Sequence, residues 1–402
     1  MPDAVIVATA RSPIGRARKG SLRDVRPDDL AAAMVRAALD QVPALDPGQI
    51  DDLYVGSWEH SGEQGENIAR RVAVQLGLDS VPGSSVNRAC ASSLQTTRMA
   101  HNAILAGDGS VYVSAGVECV SRYPRDDVDR TNPMFAEATQ RTNRRALGGQ
   151  DSWVDPRSLG SLPDVYIGMG QTAENVAGLC GISRQDQDDF ALRSQSLAAA
   201  ALDAGFYKRE IVPVVLPDGT VVDSDDGPRP DTVADDLAQL QPVFRPDGTV
   251  TAGNCCPLND GAAAVVVMSG DRARELGITP LARIVATGVC GLSPEIMGLG
   301  PVEASRRALA KAGLSISDIG LVEINEAFAA QVIPSYRQLG IDIDRLNVHG
   351  GGIALGHPFG ATGARLTTTL INGLQARDRE FGLETMCVGG GMGMALILQR
   401  LS

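Results

Sequence analysis

Four residues in this sequence stand where an apolar, strand-like run gives way to a turn or a helix. They are Cys90 in NRACASS, Asn325 in EINEAFA, His357 in GHPFG and Cys387 in MCVGGGMG. A helix start follows Cys90, and free N–H groups there favour a thiolate and can receive an oxyanion. An isolated cysteine is commonly a small buried hydrophobe, but the polar, small-residue setting of Cys90 points to a nucleophile. His357 is held by Gly356 and Pro358 in a tight turn and can take the proton of Cys90, the step that activates a weak nucleophile. Its plain alternative is a turn histidine satisfied by backbone. Asn325 alone reads as an N-cap of the helix opened by EAFAA; beside the other three it is an amide that orients a water or a carbonyl.

Cys387 ends an apolar run and is followed by Gly389–Gly391, which tolerate positive φ and close backbone approach. Backbone N–H groups at such a corner can point at a substrate oxygen. A second thiol beside them suits proton transfer at a carbon next to a thioester carbonyl. The corner misses the G-x-G-x-x-G spacing, and no G-x-x-x-x-G-K-[ST] occurs, so it serves a thiol and not a phosphate. The remaining histidines read differently. His60 in a polar loop and His101 on a helix read as structural, and His349 in NVHGG is near enough in sequence to support the His357 turn.

The elements that must position these residues are written twice. AVIVATARSPIG is echoed by ARIVATGVCGLSP, and GQIDDLYVGSWEH by SISDIGLVEINEAFA. VNRACASSLQTTRMAHNAILAG pairs with IALGHPFGATGARLTTTLINGLQ, and SVYVSAGVE with ETMCVGGGM. Alternating strand and helix patterns predict an α/β fold of βαβ units with a mostly parallel sheet, duplicated within the chain. The expected division is a first half over 1–120 completed by a strand within 250–270, an inserted lobe over 121–249, and a second half over 271–402. The lobe is rich in Asp, Arg, Pro and Gly and shows one clear helix, opened by Ser183 with Asp186 and stopped at Gly205. It is expected over the first half, where such lobes bind substrate.

Composition narrows the function classes. The 402 residues carry 36 basic and 48 acidic side chains, net −12, which argues against a nucleic-acid groove built on phosphate neutralisation. Seven cysteines without a Cys-x-x-Cys, and only four histidines, argue against a disulfide framework or structural zinc. No apolar run approaches the ~18 residues of a membrane span, and a reducing cytoplasm is the expected setting.

With these residues placed, the sequence resembles the thiolases, the family of acetyl-CoA acetyltransferases and 3-ketoacyl-CoA thiolases. The resemblance spans essentially the whole chain through VIVATARSPIG, NRACASSLQ, MGQTAENVA, PVFRPDGTVTAGN, NDGAAAV, EINEAFAAQ, GGGIALGHPFGATGAR and CVGGGMG. It implies a five-layer α/β/α/β/α fold with an inserted loop domain, and coenzyme A as co-substrate with no bound cofactor or metal. It implies that Cys90 is acylated, that His357 is its base, and that Cys387 exchanges a proton with the α-carbon of the acetyl unit. One oxyanion site would be His357 with a water held by Asn325; the other, the N–H groups of Cys90 and Gly389. Met169, Cys256, Ala327 and Phe328 would line the pantetheine and acyl pocket. Arg229 would contact a coenzyme A phosphate, or is simply a solvated surface arginine. A homodimer or homotetramer is implied as well.

Some positions depart from the family pattern. Cys90 is followed by Ala-Ser-Ser, Cys255 and Cys256 stand where Ala-Ser is usual, and His349 stands where Asn is commoner. Gly168 occupies a position often His in biosynthetic acetoacetyl-CoA thiolases, which favours the degradative branch. The rival readings are a biosynthetic acetoacetyl-CoA thiolase, a Cys–His–Asn hydrolase, which leaves Cys387 unexplained, and a noncatalytic thiolase-like lipid carrier.

Overall fold

The computed structural model describes residues 3–124, 131–148 and 152–402. The first half runs β1 (Ala4–Arg11), the short β2 (Gly15–Arg16), α1 (Pro27–Leu39), β3 (Asp52–Gly56), α2 (Ile68–Gln75), β4 (Gly83–Val86), α3 (Ser92–Ala106) and β5 (Val111–Cys119). The inserted stretch carries α4 (Ala136–Ala146), α5 (Met169–Cys180), α6 (Arg184–Asp203), a hairpin of β6 (Val214–Val215) and β7 (Val221–Val222), and α7 (Ala234–Ala238). The chain then returns through β8 (Asn259–Ser269) and α8 (Gly270–Glu275). The second half follows as β9 (Ala282–Gly291), α9 (Gly300–Ala312), β10 (Leu321–Ile324), α10 (Ala329–Leu339), α11 (Gly352–Leu355), α12 (Thr362–Ala376), β11 (Phe381–Val388) and β12 (Met392–Arg400).

The long strands lie in the order β10-β11-β12-β9-β1-β8-β5-β3-β4. The two halves join at the short β1–β9 contact, Val5 opposite Arg283 and Ile6 opposite Ala282. The sheet is mixed, which corrects the mostly parallel expectation. β3–β4, β3–β5 and β10–β11 are parallel, whereas β5–β8, β1–β8, β11–β12, β12–β9 and β1–β9 are antiparallel. The cause is local: β11 and β12 form a hairpin across Gly389–Gly391, and β5 and β8 are the same hairpin opened by the insertion.

Helices α3 and α12 pack on each other, and almost every residue of α12 from Thr362 to Leu374 is buried. A helix buried all round could not carry free hydroxyls. Thr97, Thr367 and Thr368 therefore donate to the carbonyls of Ser93, Gly363 and Ala364 one turn back, at 2.9–3.0 Å. Small side chains let the helix N-termini approach until Ala364 N–H donates to Ser93 Oγ at 3.0 Å. That crossing brings the turn before α3, which holds Cys90, toward the turn before α12, which holds His357.

The inserted stretch differs from expectation in two ways. It holds four helices among the described residues rather than one clear helix, although the Ser183–Asp186 capping box is present. Its helices pack mainly on the second half, where Ala173, Ala177, Phe190 and Ala191 share a core with Ile324, Phe328 and Val332, while Ala198 and Ala201 of α6 also meet Ile14, and Val214 and Val222 join the core of the first half. The first half is tied to it by a buried ion pair, Arg11 to Glu210 at 2.7 Å and to Asp225 at 2.7 Å.

Candidate active site

Cys90 sits two residues before α3 in a turn where Ala89 has φ +44°, a region that side chains rarely adopt. The turn is locked by Ala89 N–H to Asn87 Oδ1 at 2.8 Å, by Ser92 N–H to Ala89 O at 3.1 Å and by Ser92 Oγ to Ala89 O at 2.6 Å. The Cys90 sulfur receives the backbone N–H groups of Gly389 and of Cys90 itself. The expected net lowering by the helix start is not what results. Burial pushes the thiol up to about 11, the charge of Glu118 adds to the rise, and the two N–H groups only partly oppose it. The resting nucleophile is a neutral thiol that needs a base.

His357 is fully buried. Its backbone N–H donates to Asn259 Oδ1 at 2.9 Å, and its ring meets Thr362 Oγ1 at 2.7 Å through Nδ1 and Asn325 Nδ2 at 3.2 Å through Nε2. Phe359 packs edge-on at 5.0 Å. Burial, with Arg365 behind it, holds the imidazole down at about 3, so it is neutral and able to accept a proton at pH 7. Asn325 is also fully buried and is not an N-cap, since α10 starts four residues later with Phe328 in the cap position. Gln331 Nε2 donates to its carbonyl at 2.8 Å, while Asn325 Oδ1 is buried without a hydrogen-bond partner among the described residues.

Cys387 is the penultimate residue of β11, opposite Gly393, and is fully buried; burial, then Cys90, raise its thiol well above the ordinary range. Gly390 and Gly391 have φ of +82° and +83°, which turns the hairpin, while Gly389 keeps ordinary φ and aims its N–H at Cys90. A Cβ on Gly389 would stand 3.6 Å from Ala89 Cβ and 3.7 Å from Met169 Sδ, so Met169 closes this corner. Cys256 lies within electrostatic reach of both Cys90 and Cys387. The three thiols thus lie within electrostatic reach of one another, drawn from both halves and from the stretch between them.

Cys256 N–H donates to Ala327 O at 3.0 Å, Cys255 bridges to Phe328, and Phe328 packs edge-on to Phe244 at 6.0 Å. Cys256, Ala327 and Phe328 are therefore neighbours, and Met169 packs against the same core. Arg229 is apart from it. It is exposed and lines, with Arg16, Gln195, Cys255 and Ile353, a cavity of about 380 Å³. That cavity begins beside Cys255 and does not include the three sulfurs. His349 stacks on Phe206 at 3.7 Å, and so packs the interior instead of supporting His357. Burial lowers His101 to about 4. Among the described residues no cluster of His, Cys, Asp and Glu is arranged to hold a metal.

Residues 4–271 match the family model of the thiolase N-terminal domain, and residues 278–400 that of the thiolase C-terminal domain. The chain belongs to the thiolase family. It is 44% identical over 413 residues to a 3-ketoacyl-CoA thiolase of Bacillus subtilis, covering 99% of this chain and 100% of that protein. It is 46% identical over 411 residues to one of Cronobacter sakazakii, covering all of both. A Bacillus anthracis acetyl-CoA acetyltransferase structure superposes with a TM-score of 0.88 at 39% identity, covering 100% of this chain and 99% of that one. Human mitochondrial 3-ketoacyl-CoA thiolase in complex with CoA gives 0.87 at 36%, covering 100% and 98%.

Three polar residues of this thiolase site were not singled out from the sequence. Thr362 contacts the far nitrogen of His357, Asn259 anchors the His357 backbone, and Glu118 holds Gly360 N–H at 2.8 Å. Glu118 and Asn259 were signalled weakly, as polar residues at the ends of the apolar runs in GVECV and NDGAAAV.

Proposed function

We propose that this thiolase is an acyl-CoA acyltransferase that cleaves 3-ketoacyl-CoA with coenzyme A, giving acetyl-CoA and a shortened acyl-CoA. The observation that carries the reading is the meeting of the Cys90 turn with the Gly389 corner two residues from Cys387, where a Gly389 Cβ would stand 3.6 Å from Ala89 Cβ. His357 takes the Cys90 proton, and the thiolate attacks the 3-keto carbon. The C2–C3 bond breaks with its electron pair leaving as the acetyl-CoA enolate, which Cys387 protonates at C2. Coenzyme A then attacks the Cys90 thioester, its proton reprotonating Cys387, and His357 returns the first proton to Cys90. The N–H groups of Cys90 and Gly389 receive the oxygen of the Cys90-bound acyl group, and His357 with Asn325 receives that of the enolate. Losing one such preorganised donor costs on the order of 3–4 kcal/mol.

The degradative direction draws on the relatives named 3-ketoacyl-CoA thiolase and on Gly168. A Cβ there meets nothing within 4 Å, which leaves space one residue from Met169. The superposition on a CoA complex supports coenzyme A as co-substrate; the cavity at Arg16 and Arg229 is its proposed entrance. We infer a homodimer or homotetramer in the cytoplasm; no described helix is long and apolar enough to cross a membrane. The test is thiolysis by wild type and Cys90→Ala over 3-ketoacyl-CoA substrates from four carbons upward. Expected is kcat/KM that persists beyond the four-carbon substrate and vanishes in the variant, with acyl label on Cys90 in wild type only. Activity confined to four carbons would overturn the degradative reading, and an active Cys90→Ala the mechanism.

A further inference from the structure

The end of β5 carries a carboxylate that the reaction above does not use. Glu118 is completely buried. Its Oε2 accepts Trp58 N–H and Gly360 N–H, both at 2.8 Å, and its Oε1 accepts Gln64 Nε2 at 2.6 Å, Tyr123 Oη at 2.8 Å and Glu59 N–H at 3.3 Å. These donors come from the loop after β3, from the stretch after β5 and from the turn that carries His357. A buried carboxyl is expensive to ionise unless donors surround it, and five donors converge on this one. Burial still raises Glu118, and the hydrogen bonds from Trp58, Gln64, Tyr123 and Gly360 pull it back.

The same loop touches the nucleophile's turn, because Ser92 Oγ, which locks the Cys90 turn, also reaches Ser57 O at 3.3 Å. The opposite side is as tight. A Cβ on Gly360 would stand 2.4 Å from Val117 O, so the His357 turn lies directly on the strand bearing Glu118. The titratable groups within electrostatic reach of the Cys90 sulfur are Glu118, Cys256 and Cys387, and the His357 turn approaches through Ala364 N–H to Ser93 Oγ.

We propose that Glu118 is a positioning residue for acyl transfer: its carboxylate joins the loop after β3, on which the Cys90 turn rests, to the His357 turn across the two halves. The proposal rests on Cys90 as nucleophile and His357 as base, which Cys90→Ala tests separately. Glu118→Gln keeps size but loses the charge and presents an amide to the N–H donors; Glu118→Asp keeps the charge but shortens the reach.

The experiment compares both variants with wild type in thiolysis and in iodoacetamide alkylation of Cys90 against pH, followed by mass spectrometry. Each should lower kcat by about 100-fold, the cost of misplacing a catalytic pair by an ångström, with KM within about twofold. Only Glu118→Gln should shift the alkylation curve to lower pH, since only it removes the negative charge that raises the thiol. A folded Glu118→Gln with kcat within about twofold of wild type overturns the proposal, as does lost kcat with an unmoved alkylation curve. Hydrogen exchange on the wild-type protein supplies a check that needs no variant. The Gly360 and Trp58 amides should exchange as slowly as the core of β5; rapid exchange at Gly360 overturns the joint.

Discussion

Asn325 Nδ2 lies 3.2 Å from His357 Nε2, and the direction of that contact follows from the far side of the ring. Thr362 Oγ1 donates its only hydrogen to Pro358 O at 2.8 Å, so it can only accept from His357 Nδ1–H at 2.7 Å. Nδ1 therefore carries the proton and Nε2 is the bare acceptor, facing the Asn325 amide. The basic nitrogen of the pair is thus selected by a hydroxyl five residues along the chain.

Removing that hydroxyl should loosen the tautomer. Thr362→Val keeps the shape but leaves Nδ1–H unpaired in a dry site, a penalty of about 1–3 kcal/mol. The expected loss in kcat is at least ~10-fold, with KM little changed. Thr362→Ser, which keeps the hydroxyl, should recover most of it. Steady-state thiolysis on the three proteins measures this, and equal kcat for Val and Thr would contradict the tautomer assignment.

Cys387→Ala separates the two thiols. Cys90 keeps its turn and its Gly389 N–H, so the variant should still be acylated by an activated acyl thioester. It should not exchange the α-protons of acetyl-CoA with deuterated water, and thiolysis should fall by ~10²–10⁴-fold, the usual range for a general acid–base group. Mass spectrometry of the acyl-enzyme and NMR of the recovered acetyl-CoA read the two steps independently.

Cys90 and Asn325 were marked in the sequence by their place after the parallel strands β4 and β10, whereas His357 follows the short helix α11 and Cys387 leads into an antiparallel hairpin. Strand direction was less legible. β12 follows Cys387 so closely that GGGMGMALILQR reads as one run with the corner, and its partner hairpin is split by the insertion. α4, AEATQRTNRRA, buries only Ala138 and Thr142 and has no apolar stripe to reveal it. α5 begins at Met169 without a side-chain cap. Glu118 and Thr362 act through partners from other segments, and no local pattern marks such a residue. The raised Cys90 thiol was missed because burial, a tertiary property, outweighs the helix start.

Stability should depend on pH in a way set by buried acids. Glu323 stands beside Glu384 in the β10–β11 register; burial pushes Glu323 up to about 8 and raises Glu384 well above its usual range, while Arg365 opposes both. Relative to an unfolded value of about 4.3, the folded state holds extra protons, so stability is lost as pH rises from there through 8. His357, held at about 3, and His101 and His349, each at about 4, act oppositely: their unfolded forms bind protons below about 6.5. Their opposing contribution to the slope dwindles above that pH, leaving the acids to dominate. Melting temperature should therefore fall between pH 6.5 and 8, and Glu323→Gln should flatten that fall. An unchanged slope in the variant would show that Glu323 is not the group responsible.

Gly168 offers a direct test of chain-length preference. Its φ of −64° and ψ of 140° suit any residue, so a substitution there does not strain the backbone. Its Cβ direction is open, and Met169, the next residue, has its Sδ 3.7 Å from where a Gly389 Cβ would be. Gly168→His should place an imidazole at the mouth of the pocket without disturbing Cys90, His357 or Cys387. Thiolysis of the four-carbon substrate should change by less than about threefold, whereas kcat/KM for long-chain substrates should fall by ~10–200-fold, the discrimination that small steric changes in an apolar pocket supply. The ratio of the two kcat/KM values is the readout, because a general loss of folded enzyme lowers both together. A parallel loss for all chain lengths would remove Gly168 from the specificity of the site.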